Sequence, residues 1–124
     1  MMNENNELEL KGIEAAKKYL IRRHGMEILN EEPFECEAGS IAVVARDAER
    51  GIVFVDVIVK DGGGFEPARC GEERRSRLER IAIAFLADYD EMDVPVCFDE
   101  MTITVVNGSK ALLRHWINCL STED

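Results

Sequence analysis

The sequence predicts an α/β sandwich, a mixed sheet with helices packed against it, and three observations lead there. Residues 8–24 and 72–89 carry apolar side chains at helical spacing, while residues 26–30, 40–46, 51–60 and 96–106 read as strands. The order is therefore helix, three strands, helix, strand and a short terminal element. A chain of 124 residues with 46% hydrophobic content is long enough for one core and too short for two ordinary domains. One domain over residues 9–120 is expected, with residues 1–8 as a frayed lead-in and 121–124 as a tail.

In the first helix, Leu10, Ile13, Ala16, Leu20 and Ile21 form the apolar stripe, and Lys17, Lys18, Arg22 and Arg23 occupy other faces. Arg22, Arg23 and His24 crowd its end, where cations favour the helix dipole, and Gly25 supplies a left-handed stop. That basic run has a structural reason, with a phosphate-binding patch as the alternative. A short strand at 26–30 leads into an acidic loop containing Pro33. The IAVVA run within 40–46 is apolar on both faces, the mark of a central strand. Turn chemistry at 47–51 makes the next strand its antiparallel neighbour.

The DGGGFEPARCG run at 61–71 reads as a flexible connector, because no helix start with phosphate-loop spacing follows its glycines. Leu78, Ile81, Ala82, Phe85, Leu86 and Tyr89 give the second helix its core stripe. Asp88, Asp90, Glu91 and Asp93 then make an acidic loop ending at Pro95. Asn107-Gly108 signals a hairpin after the strand at 96–106, and residues 111–120 fit either a return strand or a short helix.

Charge narrows the function classes. The 25 acidic and 15 basic residues give a formal charge of -10, which opposes polyanions and anionic membranes unless the basic residues cluster. The densest cluster is Arg69, Arg74, Arg75, Arg77 and Arg80, interrupted by Glu72, Glu73 and Glu79. It reads either as a solvated face with intrahelical pairs or as a nucleic-acid contact through Arg74, Arg75, Arg77 and Arg80. Cys36, Cys70, Cys97 and Cys119 form no C-x-x-C pair and no zinc-ligand spacing, so reduced thiols are expected. No stretch approaches the roughly 18 apolar residues of a membrane span, and a cytoplasmic location without membrane contact is the default expectation.

One acid lies inside an apolar strand. In GIVFVDVIVK, residues 51–60, Val53, Val55, Val57 and Val59 share one face, and Ile52, Phe54, Asp56, Ile58 and Lys60 the other. An acid and a lysine on one face can hold a divalent metal and stabilise a developing anion, as phosphodiester-cleaving sites require. A satisfied acid at a polar end of the sheet is the competing reading.

Several motifs resemble one family. GIEAAKKYLIRRHGMEIL is similar to the G-x-x-A-x-x-Tyr-Leu helix and Gly-x-x-Ile-Leu strand of the YraN-type proteins, with Gly12, Ala16, Tyr19, Leu20, Gly25 and Leu29 in register. GSIAVV (39–44) sits where that family has Gly-Glu-Ile-Asp-Leu-Ile, and VFVDVI (53–58) where it has Val-Phe-Val-Glu-Val-Lys. RRSRLERIAIAFL resembles its Lys/Arg-rich helix, CFDEM its Arg-Phe-Asp-Val-Val strand, and RHWINCL its closing His-Ile-x-Asn-Ala-Phe. The resemblance covers residues 12–120 and implies a three-layer α/β/α sandwich with a mixed central sheet, the restriction-endonuclease-like PD-(D/E)XK fold.

The resemblance also implies a metal site, and here the chain departs from it. The second-strand Asp is Ala42, the Glu two places earlier is Ser40, the third-strand Glu is Asp56 and the following lysine is Ile58. The first-helix Glu is Ile13, with Glu14 adjacent. Asp56 alone would hold magnesium poorly. Lys60, about 7 Å beyond the Ile58 position along the strand, and Glu14, after a rotation of its helix, are the stand-ins for a vestigial Asp56, Lys60, Glu14 site.

Three functions follow as expectations. The first is a nuclease-fold protein with lost catalysis and a nucleic-acid-binding or scaffolding role, needing no cofactor. The second is a divergent nuclease with magnesium on Asp56. The third is a protein-binding module, such as a homodimer joined along an exposed edge at residues 102–106.

Overall fold

Side-chain alternation along one long strand sorts the core into two halves. The structure is a computed structural model and describes residues 4–61, 72–90, 94–107 and 110–118. Helix α1 (Glu4–His24) is followed by β1 (Glu27–Ile28), β2 (Phe34–Cys36), β3 (Gly39–Ile41), β4 (Val43–Asp47) and β5 (Gly51–Asp61). Helix α2 (Glu72–Leu86), β6 (Val96–Asn107) and β7 (Lys110–Trp116) complete the elements of the described residues. Five strands form one sheet in the order β1-β4-β5-β6-β7, and β2 and β3 form a separate hairpin. Among the described residues only the β5–β6 pair is parallel, so the sheet is mixed.

On one face, Ile13, Ala16 and Leu20 of α1 pack on Val43, Ala45, Val53, Val55, Met101 and Ile103. On the other, Leu78, Ile81 and Ala82 of α2 pack on Val44, Ile52 and Phe54. The three layers are thus α1, sheet and α2. Gly12 lets α1 approach closely, since a Cβ there would lie 2.5 Å from the Val59 methyl. At the helix end, Gly25 takes φ 64° and its N–H reaches the Ile21 carbonyl, while that of Met26 reaches Leu20. No helix among the described residues is long and apolar enough to cross a membrane.

Several local expectations change. Helix α1 starts at Glu4 rather than near residue 8. The stretch read as one strand over 40–46 breaks at Ala42. Ile41 belongs to the α2-side core and Val43 to the α1-side core, whereas residues two apart in one strand share a face. Asn30 holds the break: its amide donates to the Ala42 and Glu32 carbonyls and its oxygen accepts the Val44 N–H. The acidic loop contains β2, whose Phe34 meets Phe85 edge-on at 5.3 Å, as Phe54 does at 5.7 Å.

The anticipated edge at residues 102–106 belongs to an interior strand, because the chain reverses after Asn107 and β7 pairs alongside. The undecided segment is therefore strand over Lys110–Trp116, and β7 is an edge strand of the sheet, as β1 is on the other side. The glycine-rich connector from residue 62, Arg69, Cys70, Gly108 and Cys119 lie outside the described residues. Cys36 and Cys97 are free thiols.

Candidate functional site

The parallel pairing of β5 and β6 sets Asp56 directly beside Glu100. Both belong to the α2 side of the sheet by alternation, Asp56 with Phe54 and Glu100 with Phe98. Two carboxylates side by side repel unless a cation joins them. Arg74 is that cation. It lies four residues before Leu78 on the core-facing stripe of α2, so its stem runs toward the sheet. One guanidinium nitrogen, Nη2, donates to Asp56 Oδ2 at 3.0 Å and to Glu100 Oε1 at 2.8 Å. The Glu100 side chain is fully buried, that of Arg74 is 11% exposed and that of Asp56 24%. The second oxygen of Glu100 accepts the Thr102 hydroxyl at 3.3 Å, and the Thr102 oxygen accepts the Trp116 indole N–H at 3.1 Å.

The remaining sequence candidates are dispersed. Lys60 lies on β5 opposite Thr104, on the Asp56 face, and is engaged in an interaction of its own. Glu14 lies on α1, across the sheet from Asp56, with its side chain 67% exposed and 4.0 Å from the Lys17 ammonium. Arg75 and Arg77 are half-buried on α2, Arg77 alongside Gly39, and Arg80 is exposed. A shallow depression of about 660 Å³ is lined by Glu72, Glu73, Arg74, Ser76, Arg77 and Arg80. The structure thus brings Arg74 to Asp56 and does not bring Glu14 there.

A magnesium ion implied by the family resemblance has a poor donor set. Ala42 and Ile58 offer no side-chain donor, and Arg74 already supplies the positive charge between the two carboxylates. Among the described residues no group of three or more His, Cys, Asp or Glu could hold a metal ion. The residues present do not fit a hard divalent cation that prefers several oxygens.

A second polar cluster on the α1 face escaped the sequence reading. Asp99, fully buried, receives two hydrogen bonds from Arg50 at 2.8 and 2.7 Å, one from the His115 Nε2 at 2.7 Å and one from the Asn118 amide at 2.9 Å. Arg50 also donates to the Asn118 side-chain oxygen at 2.9 Å. Burial pushes the Asp99 carboxyl up, but the hydrogen bonds from Arg50, His115 and Asn118, with the Arg50 charge, prevail and lower it from 3.8 to about 2. The same pairing raises Arg50 above its ordinary value despite burial.

That depression is a stability statement. A carboxyl whose folded pKa lies below its unfolded one stabilises the fold above the unfolded value, and loses that effect as pH falls from about 4 through about 2. The contribution is about 2 kcal/mol. Urea midpoints of the wild type and Asp99→Asn are expected to differ at pH 7 and to converge toward pH 2. A pH-independent gap would contradict this account. The overlooked signal was the pair Asp99-Glu100 in an apolar strand: neighbouring strand residues face opposite sides, so each acid needed its own cation.

Comparison with known proteins places this geometry in context. The family described as "Uncharacterised protein family UPF0102" matches residues 13–103. A UPF0102 protein of Nocardia farcinica (strain IFM 10152) is 32% identical over 106 residues, 84% of this chain and 81% of the relative. Among solved structures, Pyrococcus furiosus SfsA in complex with Ca2+ is similar with a TM-score of 0.39 and 16% identity. The match covers 87% of this chain and 60% of SfsA.

Proposed function

Because the chain belongs to the UPF0102 family, the YraN-type proteins of restriction-endonuclease-like fold, we propose that it is a nuclease-fold protein that binds nucleic acid without cleaving it. One observation carries this reading: the carboxylates Asp56 and Glu100 share the guanidinium of Arg74. Cleavage of a phosphodiester by a metal needs ligands open to the ion and to a water. Here one oxygen of each carboxylate is committed to a side chain anchored in a packed helix. No cofactor is part of the proposal.

Binding falls to the remaining arginines of α2. Arg74 is turned inward, so Arg75, Arg77 and Arg80 are the groups of that cluster assigned to phosphate. They flank Glu72 and Glu73, and the chain carries a formal charge of -10, so the contact must be local and weak. Each phosphate neutralised contributes about -0.9 to the slope of log K against log salt. Three contacts predict a slope between about -2 and -3 on duplex DNA. Arg77→Ala with Arg80→Ala is expected to flatten it by about 2, read by fluorescence anisotropy from 20 to 200 mM salt. Absence of binding at the lowest salt, or a slope unchanged in the double variant, removes the proposal.

A further inference from the structure

The chain has two histidines, and the fold brings them together from its two ends. His24 closes α1 and His115 lies in β7, yet their rings stand 5.3 Å apart between centroids. Tyr19, five residues before His24 on α1, completes a triangle, with centroids 5.3 Å from His24 and 5.7 Å from His115. Its hydroxyl lies 3.4 Å from His24 Nε2.

The tautomer of His115 follows from its partner. Asp99 is ionised and can only accept, so Nε2 carries the proton and donates it at 2.7 Å. In the neutral imidazole the lone pair is then on Nδ1, which is buried and without a hydrogen-bond partner, in a side chain only 5% exposed. A buried acceptor left unsatisfied costs about 1–3 kcal/mol. A carboxylate holding one imidazole nitrogen while the other keeps its lone pair is the arrangement that orients metal-binding histidines.

We propose that His115 Nδ1, a nitrogen of His24 and the Tyr19 oxygen form a binding site for one imidazole-seeking transition-metal ion, Cu2+ or Zn2+, on the α1 face of the sheet. Two imidazoles select such ions over magnesium or calcium, which take oxygen donors. His24 is exposed, and turning its ring would exchange its contact with the phenol for the ion. A cavity of about 410 Å³ lined by Arg23, His24, Asp47, Glu49 and Arg50 among others adjoins the site at His24. Its arginines oppose a dication and its carboxylates offset them. Asp99 belongs to this site as a positioning residue that holds the His115 ring. The site lies across the sheet from Asp56 and Glu100 and stands independently of the nucleic-acid reading.

The test uses the full chain, stripped with chelator and titrated with Cu2+ or Zn2+ alone. One equivalent of Cu2+ is expected, with an electron paramagnetic resonance spectrum showing coupling to two imidazole nitrogens. His24→Ala, at an exposed position that leaves the core intact, should reduce this to one nitrogen. It should also weaken Cu2+ by no less than the ~10–100-fold that loss of a mere outer partner costs. Tyr19→Phe should weaken it less and keep both nitrogens. Zn2+ should raise the melting temperature of the wild type and leave that of His24→Ala unchanged. No binding of either ion at millimolar concentration, or Cu2+ binding of equal strength and spectrum in His24→Ala, overturns the site.

Discussion

Replacing Arg74 with methionine is expected to lower the free energy of unfolding at pH 7 by about 3–5 kcal/mol, the cost of leaving a buried charge without its partner. Methionine keeps much of the arginine stem's packing but returns nothing to the oxygens of Asp56 and Glu100. The fully buried Glu100 suffers most, because water reaches it least. Asp56, about a quarter exposed, recovers part of its loss through solvent. The check is urea denaturation of Arg74→Met beside the triple variant Arg74→Met, Asp56→Asn, Glu100→Gln. Once both carboxylates are neutral amides the repulsion is gone, so most of the stability is expected to return. A single variant within 1 kcal/mol of wild type would show that Arg74 is not what neutralises the pair.

Substituting Gly51 with alanine is expected to cost about 3 kcal/mol or more and to lower the melting temperature by about 10 °C. Gly51 opens β5 at φ +88°, a conformation that side chains with a Cβ rarely adopt. A Cβ there would also fall on the Pro95 carbonyl oxygen, which accepts the Ile52 N–H at 2.9 Å. The obstacle is backbone, not the end of a flexible side chain, so the start of β6 would have to move away from β5. Calorimetry of Gly51→Ala against Gly25→Ala separates the causes. Gly25 also has positive φ, but nothing lies within 4 Å of its would-be Cβ. It is expected to lose only the conformational part, about 1 kcal/mol.

The elements that local pattern controls were legible from the residues alone. Both helices and the strands around Asp56 follow from apolar spacing, and the Asp47–Gly51 turn follows from its composition, with the Asp47 carboxylate accepting the N–H groups of Glu49 and Arg50. The face of Asp56 was legible as well, because alternation within a strand is a local property. What stayed hidden was what only three-dimensional pairing creates. Glu100 meets Asp56 through a parallel register spanning the whole of α2, and no local signal encodes such a register. Arg74 looked like one more surface cation, although its position on the Leu78 stripe held the clue. The break at Ala42 depends on Asn30, twelve residues earlier. His24 and His115 meet because α1 and β7 both finish at the same end of the strands, a fact of topology rather than of spacing.

In the proposed reading, an internal guanidinium rather than a catalytic ion joins the two carboxylates on this face of the sheet. Fold alone does not decide activity; the groups present at the site do. The most direct measurement incubates the purified protein and Asp56→Asn with plasmid, single-stranded DNA and structured RNA in magnesium or manganese. Intact substrates with both proteins, at enzyme in excess over nucleic acid, are the expected result. Cleavage by the wild type that Asp56→Asn abolishes would contradict the account, for it would mean that Arg74 yields those oxygens to a metal.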